Sequence, residues 1–402
     1  AAWASRSRRA CEPRTGCGAR STPGPSETTR LCAARQSCGE VAIDVDQRLE
    51  LVALRIELQL GGLRQHEGAD IDDVLPDFDG LPLDRYFVPE RIIPYLATRG
   101  CYWGRCTFCD HGQGYFDQYR GMTAQHVVEQ VTALRDKYNC RHFLFSDESY
   151  PPALFKKVSQ LLVDRNVGIK WTTLIRFEET LQDQAIWDLA AKAGCCTLYY
   201  GMESANERVL NLMDKHARKS VIQNNLHQAA KAGIWNHVMA FYGFPGETRD
   251  EALETRQFVI DNQPVIHSVE LFYFVAYRHT PMVRNPDKFG ITIHKQEEYD
   301  LPLDYYYTLN EPVGISCLDA MQLCEEFYKN DFQPWAVRVN SREHVFLYIS
   351  KFGTNKLPQI YAATKDGAAA EGVSGLVTWP VAMGEGDEGK EGMSRVVSHG
   401  LG

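Results

Sequence analysis

Three cysteines lie close together in the first third of the chain. Cys101, Cys106 and Cys109 fall within "TRGCYWGRCTFCDHGQGY", residues 98–115. Thiols at this spacing can form a disulfide, bind zinc or hold the irons of an iron–sulfur cluster. A structural zinc site takes four ligands, and His111 could be the fourth, although four ligands within eleven residues would be cramped. Three thiolates on a [4Fe–4S] cluster would leave one iron open, so the spacing favours a cluster over zinc or structural thiols.

Composition narrows the class of protein that could use these thiols. The chain has 402 residues, a net charge of −9 and twelve cysteines. This charge gives no general attraction to nucleic acid or to an anionic membrane. No apolar run approaches the roughly 20 residues of a membrane span. The cysteines are too sparse for a disulfide scaffold, and no secretory signal is recognisable, so we expect a reducing, cytoplasmic compartment.

Strands and helices alternate through the middle of the chain and would position the thiols. The predicted strands are Ile92–Thr98, His142–Ser146, Ile169–Ile175, Thr197–Met202, His237–Phe244 and Ser268–Tyr277. Amphipathic helical patterns separate them, which is typical of successive βαβ units in a parallel sheet. Six units predict an α/β fold, a partial (β/α)6 TIM-like barrel, whose functional residues follow the carboxyl ends of the strands.

The chain divides by composition into five segments. Residues 1–40 are rich in arginine and without periodicity, and are predicted to be a disordered or non-native leader. Residues 41–80 resemble the stub of a lost N-terminal domain, and 81–280 form the predicted core barrel. Residues 281–364 are expected to form a mixed C-terminal extension that helps shape a substrate pocket. The Gly-rich segment 365–402 is predicted to be a disordered tail.

Four motifs in chain order resemble those of the radical SAM superfamily. They are "RGCYWGRCTFC", "FLFSDESY" (143–150), "LYYGMESANERVLNLMDK" (198–215) and "MAFYGFPGET" (239–248). The likeness is greatest to the branch that is often fused to a cobalamin-binding domain. Two departures stand out: the cysteine spacing is C-x4-C-x2-C instead of C-x3-C-x2-C, and His216 replaces the usual Gly after "M-x-K".

The resemblance implies a reaction. The three cysteines would ligate three irons of a [4Fe–4S] cluster, and S-adenosylmethionine would bind the fourth. Reductive cleavage would give a 5′-deoxyadenosyl radical that abstracts hydrogen from an unknown small-molecule or peptide substrate. An electron donor such as flavodoxin or ferredoxin would be the partner. The protein itself would supply binding and orientation.

The resemblance also implies contacts to S-adenosylmethionine. Asp147 and Glu148 would meet its ammonium, Glu203 and Ser204 its ribose, Lys215 and Arg176 its carboxylate, and Phe108, Gly243 and Gly246 its adenine. Each residue type also has an ordinary role, so these assignments compete with structural ones. Glu203 and Ser204 could cap a helix, and Arg176 could pair with a nearby glutamate.

The cobalamin branch raises an alternative function. Its D-x-H-x-x-G motif is missing, since no Asp stands two positions before His66. Cobalamin therefore stays a cofactor candidate without a recognisable binding motif. The first alternative is a truncated cobalamin-dependent radical SAM methyltransferase. The second is a non-catalytic zinc or iron–sulfur binding module.

Overall fold

A computed structural model describes the central part of the chain. It covers residues 75–86, 88–110, 119–294, 304–311, 313–331, 342–356 and 359, without the side chains of 304–306. These residues belong to one unit, Gly68–Glu371. The predicted leader, the tail and most of the proposed stub lie outside the described residues, so the predicted domain boundaries stay predictions.

Six parallel strands form the central sheet. Their order is β1 (Ile92–Tyr95), β4 (His142–Phe145), β5 (Lys170–Ile175), β6 (Cys195–Glu203), β7 (Trp235–Tyr242) and β8 (Ser268–Tyr273). Every neighbouring pair runs parallel. Among the described strands β1 and β8 do not pair with each other, so the sheet is an open, partial barrel, which confirms the predicted fold class.

Two smaller sheets accompany the barrel. One joins β2 (Thr98–Arg99) to β3 (Arg120–Gly121) as an antiparallel pair. The other has three antiparallel strands, β10 (Ile291–His294), β11 (Asp304–Leu309) and β9 (Ala276–Tyr277).

Helices connect the strands and cover one face of the sheet. They are α1 (Ala124–Tyr138), α2 (Pro152–Asp164), α3 (Gln184–Lys192), α4 (Glu207–Leu212), α5 (Lys219–Lys231), α6 (Arg249–Asp261), α7 (Pro281–Arg284), α8 (Cys317–Asn330) and α9 (Arg342–Phe352). Short 3-10 turns occupy Leu83–Arg85, Glu179–Leu181 and Pro286–Phe289. A capping box of Thr248 and Glu251 opens α6. None of the described helices is both long and apolar enough to cross a membrane.

Helix α9 packs against the sheet apart from the main core. Its Val345, Phe346 and Ile349 form a separate buried cluster with Cys196 of β6 and Trp235 of β7. Both sheet residues lie at the amino ends of their strands. The opposite, carboxyl ends carry the predicted site residues.

Four predicted strands are correct to within one or two residues at their ends, and the first and the last differ more. The first ends at Tyr95, and Thr98 belongs to β2, because its backbone N–H and hydroxyl both turn to the carboxylate of Asp147. The last divides into β8 and β9, and β9 pairs with β11 instead of continuing the barrel.

Candidate functional site

The cysteine loop is fixed at its base and along its length. Strands β2 and β3 close the base through the pairs Thr98↔Gly121 and Arg99↔Arg120. Farther along, the Thr107 N–H donates to the carbonyl of Met213 at 2.9 Å. All three thiols are half-buried and free of disulfides. The loop thus lies beside the segment that follows β6 and α4, at the carboxyl edge of the sheet.

Two cations surround the middle thiol. Arg176, at the end of β5, places Nη1 3.9 Å from Cys106 Sγ and is only 7% exposed. Burial raises the pKa of Cys106, while the positive charges of Lys215 and Arg176 oppose that rise. This surrounding favours sulfur that carries negative charge, as a metal-bound thiolate does. Arg176 also pairs with Glu178 at 3.1 Å, the structural alternative that the sequence offered.

Glu203 and Lys215 form an ion pair beside this thiol. Lys215 Nζ donates to Glu203 Oε1 at 2.7 Å, and the Lys215 side chain is almost fully buried. Glu203 adopts a left-handed φ of 64° at the end of β6. Such strain in a residue other than glycine is frequent at functional sites. Gly201 leaves room for the pair, because a Cβ there would lie 2.6 Å from Glu203 Oε1.

The acids that follow β4 have different surroundings. Asp147 is fully buried, and its Oδ1 accepts from both the N–H and the hydroxyl of Thr98 at 2.6 Å. Burial raises the pKa of Asp147 to about 6, against the lowering effect of these bonds. Glu148 is half-buried, and its buried Oε2 has no hydrogen-bond partner among the described residues. Asp147 Oδ2 likewise has no hydrogen-bond partner among the described residues, so the two acids differ in exposure and in the bonds that Thr98 donates to Asp147.

Ser204 is committed to the protein. Its hydroxyl lies 3.0 Å from the hydroxyl of Thr255 on α6 and accepts from the N–H of Asn206 at 3.1 Å. The side chain is fully buried. Asn206, not Ser204, is the N-cap of α4. A ribose contact from the Ser204 hydroxyl would need these bonds to be exchanged, so that assignment stays a prediction.

The predicted adenine contacts lie on the loop and on the turn after β7. The ring of Phe108 packs edge-on against Phe241, with centroids 5.3 Å apart. Gly243 and Gly246 both have left-handed φ angles, 87° and 86°. A side chain on Gly243 would also meet Ala320 at 2.8 Å, so folding alone accounts for this glycine. Whether adenine binds along this turn stays a prediction.

One residue that the sequence analysis missed is buried in the same turn. Glu247 is fully buried, and its Oε2 accepts from the Gly243 N–H at 2.6 Å. Burial raises the pKa of Glu247 to about 8. Its Oε1 has no hydrogen-bond partner among the described residues. A carboxyl placed between the apolar "FYGFP" and a capping box was the sequence signal that could have identified it.

The donor set fits an iron–sulfur cluster, although the thiols do not already converge. Among the described residues, no three His, Cys, Asp or Glu side chains are gathered closely enough to hold a metal ion. Ligand loops commonly close around their metal as it binds. The chemistry of the set is three thiols on one loop with buried cations beside the middle one, which suits an anionic thiolate cluster. His111 lies outside the described residues, so its place as a fourth ligand stays untested.

Comparison with known proteins shows a family likeness over part of the chain. Residues 95–259 match the radical SAM superfamily. An uncharacterized methyltransferase of Pyrococcus horikoshii is 27% identical over 197 residues, 47% of this chain and 41% of that protein. The anaerobic magnesium-protoporphyrin IX monomethyl ester cyclase of Rubrivivax gelatinosus is 24% identical over 54% of this chain and 43% of that one.

A solved structure was also matched. The cobalamin-dependent S-adenosylmethionine radical enzyme OxsB with aqua-cobalamin bound aligns with a TM-score of 0.49 and 15% identity, over 68% of this chain and 45% of that one. The chain spans less than half the length of the two curated relatives given above. The family match covers the cysteine loop and the strands through β7 that carry the site. Over residues 95–259, which hold the cysteine loop, the chain is similar to the radical SAM superfamily.

Proposed function

We propose that this chain binds a [4Fe–4S] cluster through Cys101, Cys106 and Cys109 and uses it to cleave S-adenosylmethionine reductively. The observation that carries the proposal is the surrounding of Cys106, where Arg176 and Lys215 are both buried near one thiol. Each cation already pairs with one glutamate, Arg176 with Glu178 and Lys215 with Glu203, and each keeps N–H donors for a further anionic group. A thiolate-ligated cluster and a methionine carboxylate are two such groups.

The chain's own residues would bind and orient S-adenosylmethionine. When bound, the cluster would supply the electron that breaks the carbon–sulfur bond. Lys215 Nζ uses one donor on Glu203 and keeps two for a carboxylate. The remaining acceptor sites of Glu203 suit ribose hydroxyls.

Of the two acids that follow β4, the more accessible one is the partner of the methionine ammonium. Asp147 is fully buried and its Oδ1 already accepts two hydrogen bonds from Thr98, whereas Glu148 is half-buried. Each acid has a second oxygen, Asp147 Oδ2 or Glu148 Oε2, without a hydrogen-bond partner among the described residues. We therefore assign the methionine ammonium to the more accessible Glu148, with Asp147 holding β2 and the start of the cysteine loop.

Product formation tests the proposal. The purified chain is reconstituted anaerobically with iron and sulfide, reduced with dithionite and supplied with S-adenosylmethionine, and 5′-deoxyadenosine is measured. Wild type should bind about four irons per chain and form product. Cys106→Ala should lose both, and Cys317→Ser, at a half-buried thiol on α8, should keep both. Bound zinc without product, or a Cys106→Ala variant as active as wild type, would contradict the proposal.

Methyl transfer is the second candidate reaction, because one matched relative is named a methyltransferase. A cobalamin-dependent version predicts that corrinoid added during reconstitution stays bound through gel filtration and gives its visible spectrum. Release of all corrinoid would remove that version while leaving S-adenosylmethionine cleavage in place. We further propose that the electron donor is of the flavodoxin or ferredoxin type. We also propose a cytoplasmic, reducing location, because the described thiols form no disulfide.

A further inference from the structure

The two departures from the family pattern meet in space. The cysteine loop carries one residue more than usual between its first two cysteines, and Trp103 stands in that stretch. The other departure, His216, lies with its ring centroid 5.9 Å from that of Trp103. His216 keeps a left-handed φ of 53°, the conformation for which glycine is normally used. His216 therefore stands in a backbone conformation that glycine would adopt without strain.

The Trp103 ring is anchored to this turn. Its indole Nε1–H donates to the carbonyl of Asp214 at 2.8 Å. The Asp214 carboxylate pairs with Arg105 at 3.0 Å and with His216 at 2.7 Å. The guanidinium of Arg105 also lies 5.0 Å from the Trp103 ring centroid. The indole is thus held through its N–H. The contacts of the Asp214 carboxylate with Arg105 and His216 join the loop to the turn beside the ring.

The same ring contacts the buried arginine. The guanidinium carbon of Arg176 lies 4.3 Å from the Trp103 centroid, well inside the range of a cation–π contact. Arg176 Nη2 donates to the Lys215 carbonyl at 2.7 Å, and Nε donates to Glu178 at 3.1 Å. The remaining nitrogen, Nη1, is directed to Cys106 Sγ at 3.9 Å.

We infer that Trp103 is a positioning residue that holds the Arg176 guanidinium against the Cys106 sulfur and thereby raises the reduction potential of the cluster. The inference rests on the proposed function. Reduction by an external one-electron donor adds one negative charge to the cluster, and a buried cation near a ligating sulfur stabilises that charge. Without the indole, the guanidinium keeps only its hydrogen bonds to Lys215 and Glu178. These bonds do not hold Nη1 against the sulfur, so the guanidinium can tilt away from it.

The midpoint potential of the reconstituted cluster tests this inference. Potentials are measured by redox titration followed by EPR for wild type, Trp103→Leu, Arg176→Gln and the double variant. We expect Arg176→Gln to lower the equilibrium constant for reduction of the cluster about tenfold. For a one-electron couple this lowers the midpoint potential by about 59 mV. Trp103→Leu should shift the potential the same way by a smaller amount. The double variant should match Arg176→Gln, because Trp103 acts through Arg176.

Two further variants make the test specific. Trp103→Phe keeps a ring under the guanidinium and should shift the potential less than Trp103→Leu, and it replaces the leucine variant should that one fail to fold. Arg105→Gln removes a cation that touches the same ring but is 58% exposed, and should shift the potential less than Trp103→Leu, because the indole keeps its hydrogen bond to Asp214. Unfolding midpoints of all variants show whether a change is merely structural.

Several results would overturn the inference. The positioning role would be ruled out by a potential that is unchanged in both Trp103→Leu and Trp103→Phe. It would also be ruled out if Trp103→Leu shifted the potential equally in the wild-type and in the Arg176→Gln background. Variants that still form 5′-deoxyadenosine in those cases leave the proposed function standing. A wild-type chain that binds no cluster would instead remove the proposed function and this inference together.

Discussion

Replacing Glu247 by glutamine should change how stability depends on pH. Glu247 is fully buried in the turn after β7, where it accepts the Gly243 N–H at 2.6 Å. Burial raises its pKa from 4.5 to about 8, the negative charge of Glu251 adds to the rise, and Arg208 opposes it. At neutral pH the folded protein therefore holds Glu247 mainly as a neutral acid, which glutamine imitates in shape and charge.

The sign and size of the effect follow from the two pKa values. Above pH 4.5 the unfolded chain loses this proton, whereas the folded chain keeps it to about pH 8. The free energy of unfolding therefore falls as pH rises through this window, by about 1.4 kcal/mol per pH unit, and levels off above it. From pH 5 to pH 8 the contribution of Glu247 falls by about 3–4 kcal/mol. Glutamine has no such dependence.

Urea unfolding of wild type and Glu247→Gln at pH 5 and pH 8 measures this difference. All other titrating groups are common to both proteins, so they cancel in the comparison. We expect similar stability at pH 5, and at pH 8 a glutamine variant that is the more stable by about 3–4 kcal/mol. A difference between the two proteins that stays constant from pH 5 to pH 8 would refute the assignment of a buried, neutral Glu247.

Two further substitutions test the surroundings of the site. Thr98→Val removes the hydroxyl that donates to Asp147 at 2.6 Å, and should cost about 1–3 kcal/mol in urea unfolding because a buried carboxylate loses a donor. Stability equal to wild type would contradict that role. Gly201→Ala places a methyl group 2.6 Å from Glu203 Oε1. It should lower the affinity of the reconstituted protein for S-adenosylmethionine, measured by calorimetry, by about tenfold or more. Unchanged affinity would show that the ion pair is not part of the cofactor site.

The helices and most strands could be predicted from local patterns. Apolar spacing placed Val127, Val131 and Leu134 on the buried face of α1, where they are fully buried. The glycines after α3 and α5, Gly194 and Gly233, have the expected left-handed φ. Such features depend on neighbours in the sequence, which is why a single sequence reveals them.

Features that depend on distant residues could not be predicted in the same way. The Ile92–Thr98 strand was predicted too long because the partner of Thr98, Asp147, lies on another loop. Ser204 fits a binding motif by position, yet its hydroxyl bonds Thr255 on α6. The contact between Arg176 and Cys106 joins residues seventy positions apart, and no periodicity in the sequence indicates it.

The most direct test of the account is the EPR spectrum of the reduced, reconstituted protein with and without S-adenosylmethionine. In the proposed site, three protein thiolates would leave one iron for the amino and carboxylate groups of this molecule, so its addition should change the g values of the cluster. Identical spectra, together with no measurable binding of S-adenosylmethionine, would contradict the claim that the cysteine loop keeps an iron open for it.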